Sequence, residues 1–233
     1  MDLMQSALNT CEPLAAIIVE ARDADGRSTS DTVRQLHGAA MQVPLVAYCR
    51  VGAERSGEIQ ALIVAGVHEL LYEGVDDTGV ALRAVLESAQ RAQVGERAAA
   101  ALTARTPERL WALVKQATAH PETQRVSALA DALGYNRKTL VNHCAHVDFP
   151  PPQELLAWCR LTVVGELLTS TSRTIESIAL QLDFPSDTSL RNMIKRYTGL
   201  RASEVRARGG MQCIVNAFDT AMRARRGSAE AAS

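Results

Sequence analysis

The chain has 233 residues, 47% of them hydrophobic, and sets 25 Lys and Arg against 26 Asp and Glu for a formal net charge of −1. Domains usually hold roughly 100–200 residues, so two domains are expected. The longest apolar runs, such as Leu14 to Val19, fall far short of the ~20 residues that a bilayer span needs, and Asp2 stands where a secretory leader carries basic charge; a cytoplasmic chain with no membrane partner is expected.

From Leu14 short apolar runs alternate with amphipathic stretches: Ala15 to Val19, Thr32 to Met41, Pro44 to Tyr48, Glu54 to Ala65, Val67 to Tyr72 and Asp77 to Ala92. Continuous apolar runs between helical segments predict a parallel sheet covered on both faces, with the connections of βαβ units. Three strands make a small sheet, either reduced or completed by a partner. Asp23-Ala24-Asp25-Gly26 reads as a turn rather than a cation site, because Asp and Gly are turn formers.

The stretch Val80 to Leu102 continues helically, with Gly95 interrupting it, so a jointed connector is expected rather than one long rod. Thr106-Pro107 opens the next helix as cap and first helical residue, and Leu110, Leu113, Val114 and Ala117 give it an apolar stripe. His120-Pro121 ends it. Ser127 caps a short helix through Leu133, Gly134 supplies the left-handed residue of a tight turn, and Asn136 caps a helix from Arg137 to about Val147. Leu140 and Cys144, four residues apart, point inward; Arg137, Lys138, Val141 and Asn142 point outward. Pro150-Pro151-Pro152 then starts a longer helix through Leu155, Trp158, Leu161, Val164 and Leu168. Thr174 caps Ile175 to Leu182, and the turn at Asp183-Phe184-Pro185 leads into Ser186 to Tyr197, with Leu190 and Ile194 inward. Asp187, Thr188, Ser189 and Asn192 face outward at the helix start, and Arg191, Lys195 and Arg196 are better placed for phosphate. Met211 to Met222 forms one more amphipathic helix before a flexible end.

The two short-helix, turn, longer-helix segments repeat each other. Leu129-Ala130, Leu133-Gly134-Tyr135 and Leu140 recur as Ile178-Ala179, Leu182-Asp183-Phe184 and Leu190, at an offset of 49 residues that becomes 50 at the last position. A repeat of that length marks a duplicated supersecondary unit. Charge follows the same division: residues 1–103 hold 8 Lys and Arg against 14 Asp and Glu, whereas residues 104–208 hold 14 against 10. Clustered basic charge over a helix-turn-helix pair is the footprint of a phosphate-backbone reader, and outward Lys, Asn, Ser and Thr groups suit base edges. About 17 residues of connecting helix span ~25 Å, which with the flanking helices brings two reading heads near the ~34 Å of one DNA turn.

Arg160-Leu161, Ile178-Ala179, Asp183-Phe184, Ser189-Leu190, Lys195-Arg196-Tyr197-Thr198-Gly199-Leu200 and Arg206 resemble the signature of AraC/XylS-family transcription regulators, over about residues 107–208. The resemblance implies two helix-turn-helix units on one connecting helix, bound to adjacent major-groove segments of double-stranded DNA, with recruitment of RNA polymerase as an activator. By position it puts Lys138, Val141 and Asn142 on base contacts of the first unit, beside Asn136 and Arg137, and Asp187, Thr188, Ser189 and Asn192 on those of the second, beside Ser186, Arg191, Lys195 and Arg196. The family usually has Gly at Asp183, an aromatic at Ile194 and Thr-Pro or Ser-Pro at Arg201-Ala202. The N-terminal segment, about residues 13–92, resembles instead the last three βα units of a response-regulator receiver domain, but its strand ends, Val19-Glu20, Tyr48-Cys49-Arg50 and Tyr72-Glu73, offer no phosphate-accepting Asp with a partner Lys.

The expectation is therefore an α/β N-terminal domain with a small, receiver-like parallel sheet (1–95), a helical linker (96–106), an all-α C-terminal domain with two helix-turn-helix units (107–208) and a C-terminal helix with a flexible tail (209–233). It is a sequence-specific DNA-binding transcription regulator and not an enzyme, without cofactor or metal, and a homodimer through the N-terminal domain or linker. A non-catalytic interaction protein that binds a partner protein is the alternative. Cys11, Cys49, Cys144, Cys159 and Cys213 are odd in number and scattered, so they are expected to be reduced. His143, Cys144 and His146 cluster in sequence, but neighbours on a helix point in different directions.

Overall fold

The computed structural model describes residues 16–39, 43–50, 52, 56–123, 125–170 and 173–230. Asp2, Cys11, Leu14, Ala15, Met41 and Glu54, which entered the expectations above, lie outside the described residues. The chain divides into two compact units, Met1–Gln93 and Val94–Ser233.

In the first unit β1 (Ile17–Glu20), α1 (Ser30–Ala39), β2 (Leu45–Cys49), α2 (Ser56–Ala65) and β3 (Glu69–Tyr72) alternate, followed by α3 (Gly79–Thr103). The strands pair in parallel in the order β1-β2-β3, with Ile17 opposite Leu45 and Val46 opposite Glu69. The central strand is apolar throughout because both its faces are covered. Leu45, Ala47 and Cys49 pack with Val33, Leu36 and Leu62 of α1 and α2; Val46, pointing the other way, packs with Leu71 and with Ala89 of α3. The carboxyl ends of the strands, where α/β proteins usually bind ligands, carry Arg50 paired with Glu73 and the Tyr48 hydroxyl donating to Asp77 at 3.2 Å. The Asp23 loop is a turn: Asp23 Oδ1 accepts from the amides of Asp25 at 3.0 Å and Arg27 at 2.8 Å, and Gly26 has φ 76°.

Gly95 does not interrupt α3, which runs unbroken for 25 residues. The expectation of a joint there is corrected. A Cβ at position 95 would lie 2.8 Å from the Thr118 carbonyl, so this glycine admits a close backbone approach, and that contact outweighs its roughly 1 kcal/mol helix penalty. Beyond it Ala98 and Leu102 enter the core of the second unit.

That unit continues with a 3-10 turn (Glu108–Leu110), α4 (Trp111–Ala119), α5 (Val126–Ala132), α6 (Arg137–His146), α7 (Pro152–Ser170), α8 (Ile175–Gln181), α9 (Asp187–Thr198), α10 (Ala202–Ala207) and α11 (Met211–Glu230). Two expected caps are corrected. Thr106 caps nothing; its hydroxyl donates to the Leu102 carbonyl at 2.7 Å, and a 3-10 turn precedes α4. Ser127 is not the cap of α5, because the buried Val126 is already helical and Arg125 is the residue before it. Where a side chain is drawn into the core, burial overrides the local preference of a hydroxyl for the helix end.

The core is organised around α7. Fourteen of its nineteen residues are buried, so it has no solvent stripe and behaves as a helix enclosed on all sides. Helices α4, α8, α10 and α11 all pack on it. Trp158 meets Tyr197 of α9 and Phe218 of α11 edge-to-face, with ring centroids 4.9 and 5.5 Å apart. Gly165 lets α11 begin against it: a Cβ there would sit 2.8 Å from the Met211 backbone. Inside this apolar surround Glu166 accepts from Arg97 of α3 at 2.6 Å. Burial pushes the Glu166 carboxyl up from its ordinary value, and Arg97 pulls it back down. Cys49, Cys144 and Cys159 are buried free thiols and Cys213 is partly buried; burial pushes Cys144 up to about 11 and Cys159 up to about 12.

Gly165→Ala is expected to lower stability by about 1–3 kcal/mol, because backbone must move to admit a methyl, as measured by urea unfolding. A buried carboxylate with a raised folded-state pKa favours folding when protonated, so its contribution is full at low pH and is lost as pH rises through the raised value. Glu166→Gln is expected to flatten that part of the stability-pH curve, whereas Arg97→Ala, which strands the buried carboxylate, should destabilise at pH 7 by about 2–4 kcal/mol, somewhat under the cost of breaking a fully buried pair.

Candidate nucleic-acid interface

Two helix pairs, α5/α6 and α8/α9, share one turn construction. In the first, the Leu133 amide donates to Leu129 and the Tyr135 amide to Ala130 at 2.8 Å; in the second, Leu182 donates to Ile178 and Phe184 to Ala179, again at 2.8 Å. The residue between is left-handed in both, Gly134 with φ 68° and Asp183 with φ 56°. Asp is one of the few side-chain-bearing residues that tolerate this region, so the backbone turn survives the loss of glycine. Each longer helix is then capped by a side chain: Asn136 accepts from the Thr139 amide at 2.8 Å, and Ser186 from the Ser189 amide at 3.1 Å. Thr174 caps α8 by accepting from Ser177 at 3.2 Å.

The inward faces are closed by Leu140 and Cys144 in α6 and by Leu190 and Ile194 in α9, all buried. An aliphatic side chain at 194 fills its site without the aromatic that the resemblance leads one to expect. On the other side of α6, Asn136, Arg137, Lys138, Val141 and Asn142 are exposed, Val141 at 43% despite being apolar. Among the described residues no carboxylate pairs with Arg137 or Lys138. On α9, Ser186, Thr188, Arg191, Asn192, Lys195 and Arg196 are exposed, while Asp187 and Ser189 are half-buried. The N-terminal turns of both helices thus present hydroxyl, amide and cationic groups, the chemistry that reads base edges and phosphates.

The two heads differ in how their charge is held. Arg191 Nε donates to Asp187 Oδ2 at 3.2 Å, one helical turn back, and its Nη2 donates to Glu176 Oε1 of α8 at 2.8 Å. The Arg191 guanidinium holds the Asp187 carboxyl below its usual range. Glu176 is lowered chiefly by its own backbone amide and the Thr174 hydroxyl, with Arg191 adding to them. The i,i+4 spacing of Asp187 and Arg191 is a helix ion-pair signal in the sequence; Glu176, on another helix, left none.

Arg160 is a further residue that sequence spacing did not single out for the site. It lies buried on α7, donates to the Leu182 carbonyl at 2.7 Å and places its guanidinium carbon 3.9 Å over the Phe184 ring. Burial pushes this guanidinium down from its ordinary value, with Asp183 acting in the opposite sense. The central helix therefore grips the turn of the second pair through the carbonyl of Leu182, the residue that ends α8, and through the aromatic of Phe184. Arg206 of α10 similarly ties Arg173, ahead of α8, through its carbonyl at 2.6 Å. Near the first pair, Tyr135 and His143 meet edge-to-face at 5.3 Å, while Cys144 turns into the core and His146 stays exposed.

Asn136→Ala and Ser186→Ala are each expected to cost about 1 kcal/mol of stability, seen as a lower denaturation midpoint with an unchanged denaturant slope.

No curated protein and no solved structure matches the chain. Residues 129–208 match the family model described as a helix-turn-helix domain, and this match supports the AraC-type resemblance of the C-terminal segment and a DNA-binding transcription regulator.

Proposed function

We propose that this chain is a sequence-specific DNA-binding transcription regulator that reads adjacent major-groove segments of a duplex with two helix-turn-helix units, α5/α6 and α8/α9. The observation that carries the reading is the repeated turn: the same pair of backbone bonds, a left-handed residue at the same place and a side-chain cap on the following helix recur in both pairs, each leaving a polar helix start outward. The 19 residues of α7 between them rise about 28 Å at an ordinary helical pitch, a length suited to heads near one DNA turn apart.

In this reading Lys138, Val141 and Asn142 contact bases in the first half-site, with Asn136 and Arg137 at the helix start. Asp187, Thr188, Ser189 and Asn192 serve the second, with Ser186 at the helix start and Lys195 and Arg196 toward phosphate. The chain works in the cytoplasm, where its DNA is, as an activator that recruits RNA polymerase, in keeping with the family resemblance. The N-terminal unit acts as a receiver-like module that takes in a signal by contact and dimerises, without phosphoryl transfer. Its three parallel strands in linear order support the likeness to the later strands of a receiver, and β1 and β3, each with one side unpaired among the described residues, offer edges for a second copy.

Fluorescence anisotropy of the full chain with DNA from its own promoter region tests the reading; affinity should fall steeply with salt, by close to one log unit per log of salt for each phosphate neutralised. Salt-insensitive or absent binding, with co-purification of a partner protein, would favour the interaction-protein alternative. Lys138→Ala and Asn142→Ala are expected to weaken binding without lowering stability, whereas Leu140→Ala should cost ~2–5 kcal/mol of stability because its side chain is buried. Equal melting of all three variants would contradict that division.

A further inference from the structure

The geometry points to Arg191 as a guanine reader: a guanidinium held between Asp187 and Glu176 so that its free edge presents two parallel donors to the O6 and N7 atoms of one guanine in the second half-site. The inference rests on the DNA-binding reading above and adds to it a base and the side chains that select it.

A guanidinium carries five N–H donors in a fixed plane. Here Asp187 takes the Nε donor at 3.2 Å and Glu176 takes one Nη2 donor at 2.8 Å. The donors that remain are the two on Nη1 and the second on Nη2. In the proposed geometry Glu176 holds the Nη2 hydrogen beside Nε, which leaves one donor on each terminal nitrogen side by side at the tip of the plane, in the arrangement that meets guanine's paired acceptors. Two carboxylates from two different helices restrain a long side chain, and a recognition group that is already oriented loses less entropy on binding. Arg191 also lies three residues after Thr188 and four before Lys195, both exposed, so it shares their side of α9.

The same two carboxylates argue against a phosphate as the target. A phosphodiester brought to Arg191 would place a third anion beside Asp187 and Glu176, and like charges repel at this range. The edge of guanine is a pair of neutral acceptors and meets no such penalty. Asp187, whose sign is wrong for a phosphate-facing surface, thereby gains a role as a positioning residue, and Glu176 gains one outside the longer helix altogether.

Selection of bound sequences from random duplex DNA by the full chain, repeated with Arg191→Ala and with Glu176→Gln combined with Asp187→Asn, tests this. The wild-type chain is expected to fix a guanine at one position of one half-site, and Arg191→Ala to lose that preference alone. Replacing the guanine by 7-deazaguanine, which lacks the N7 acceptor, should weaken the wild type by at least roughly 5-fold and by less than the roughly 150-fold of losing a whole bidentate contact, and leave Arg191→Ala unaffected. The double variant should relax the preference and steepen the salt dependence by about one phosphate equivalent, as the freed cation turns to the backbone. Enriched sequences unchanged in Arg191→Ala, or a salt dependence that becomes shallower in Arg191→Ala while the guanine stays fixed, would overturn the guanine assignment and leave the DNA-binding reading standing. No enrichment by the wild-type chain would overturn both.

Discussion

The enclosure of α7 is the constraint from which the second unit follows. A helix buried on every side can neither tilt nor slide without opening the core around it, because interiors are close-packed and a lost methylene contact is felt. The pieces that meet α7 inherit its rigidity. Arg160 reaches from it to the turn of the second helix pair, Trp158 reaches to Tyr197 at the end of α9, and the first pair is seated through Leu129, Leu140 and Cys144 in the same apolar cluster. Two outward-facing helices are held in place by a third whose middle, from Trp158 to Leu168, is buried throughout.

The heads are alike in backbone and unlike in chemistry. The turn geometry tolerates Asp183 in place of glycine because its short polar side chain accepts the left-handed region, so one construction carries a different charge pattern in each copy. The first head leaves Arg137 and Lys138 without acidic partners among the described residues; the second spends two carboxylates on Arg191. Exposed ion pairs of this kind contribute little to folding. Their effect is on which way a long cation points.

Much of this was legible in sequence where the determinants are local. The parallel strands follow from continuous apolar runs such as Leu45 to Cys49, and the caps Asn136 and Thr174 follow from residue type next to an apolar period. Gly134 marks its turn by itself. The failures come from contacts, near or far along the chain, that override a local preference. Gly95 looks like a break until Thr118 is placed against it, and Ser127 and Thr106 look like caps until Val126 and the Leu102 carbonyl claim those positions. The partnership of Glu176 with Arg191, and the grip of Arg160 on Leu182, join residues 15 and 22 apart that no periodicity connects. A lone arginine within the apolar run of α7 was the one visible trace of the latter, since a buried cation requires partners.

The segment that is recognisable as a helix-turn-helix domain, residues 129–208, is narrower than the body that packs as one. Ala98 and Leu102 on the amino side and Ile214, Phe218 and Met222 on the carboxyl side belong to the same cluster as the helices of the two heads. That segment consequently has no closed core of its own: its inner wall is donated by flanking helices, so a change that loosens or braces those flanks reaches the two helix pairs without touching a single group that faces outward.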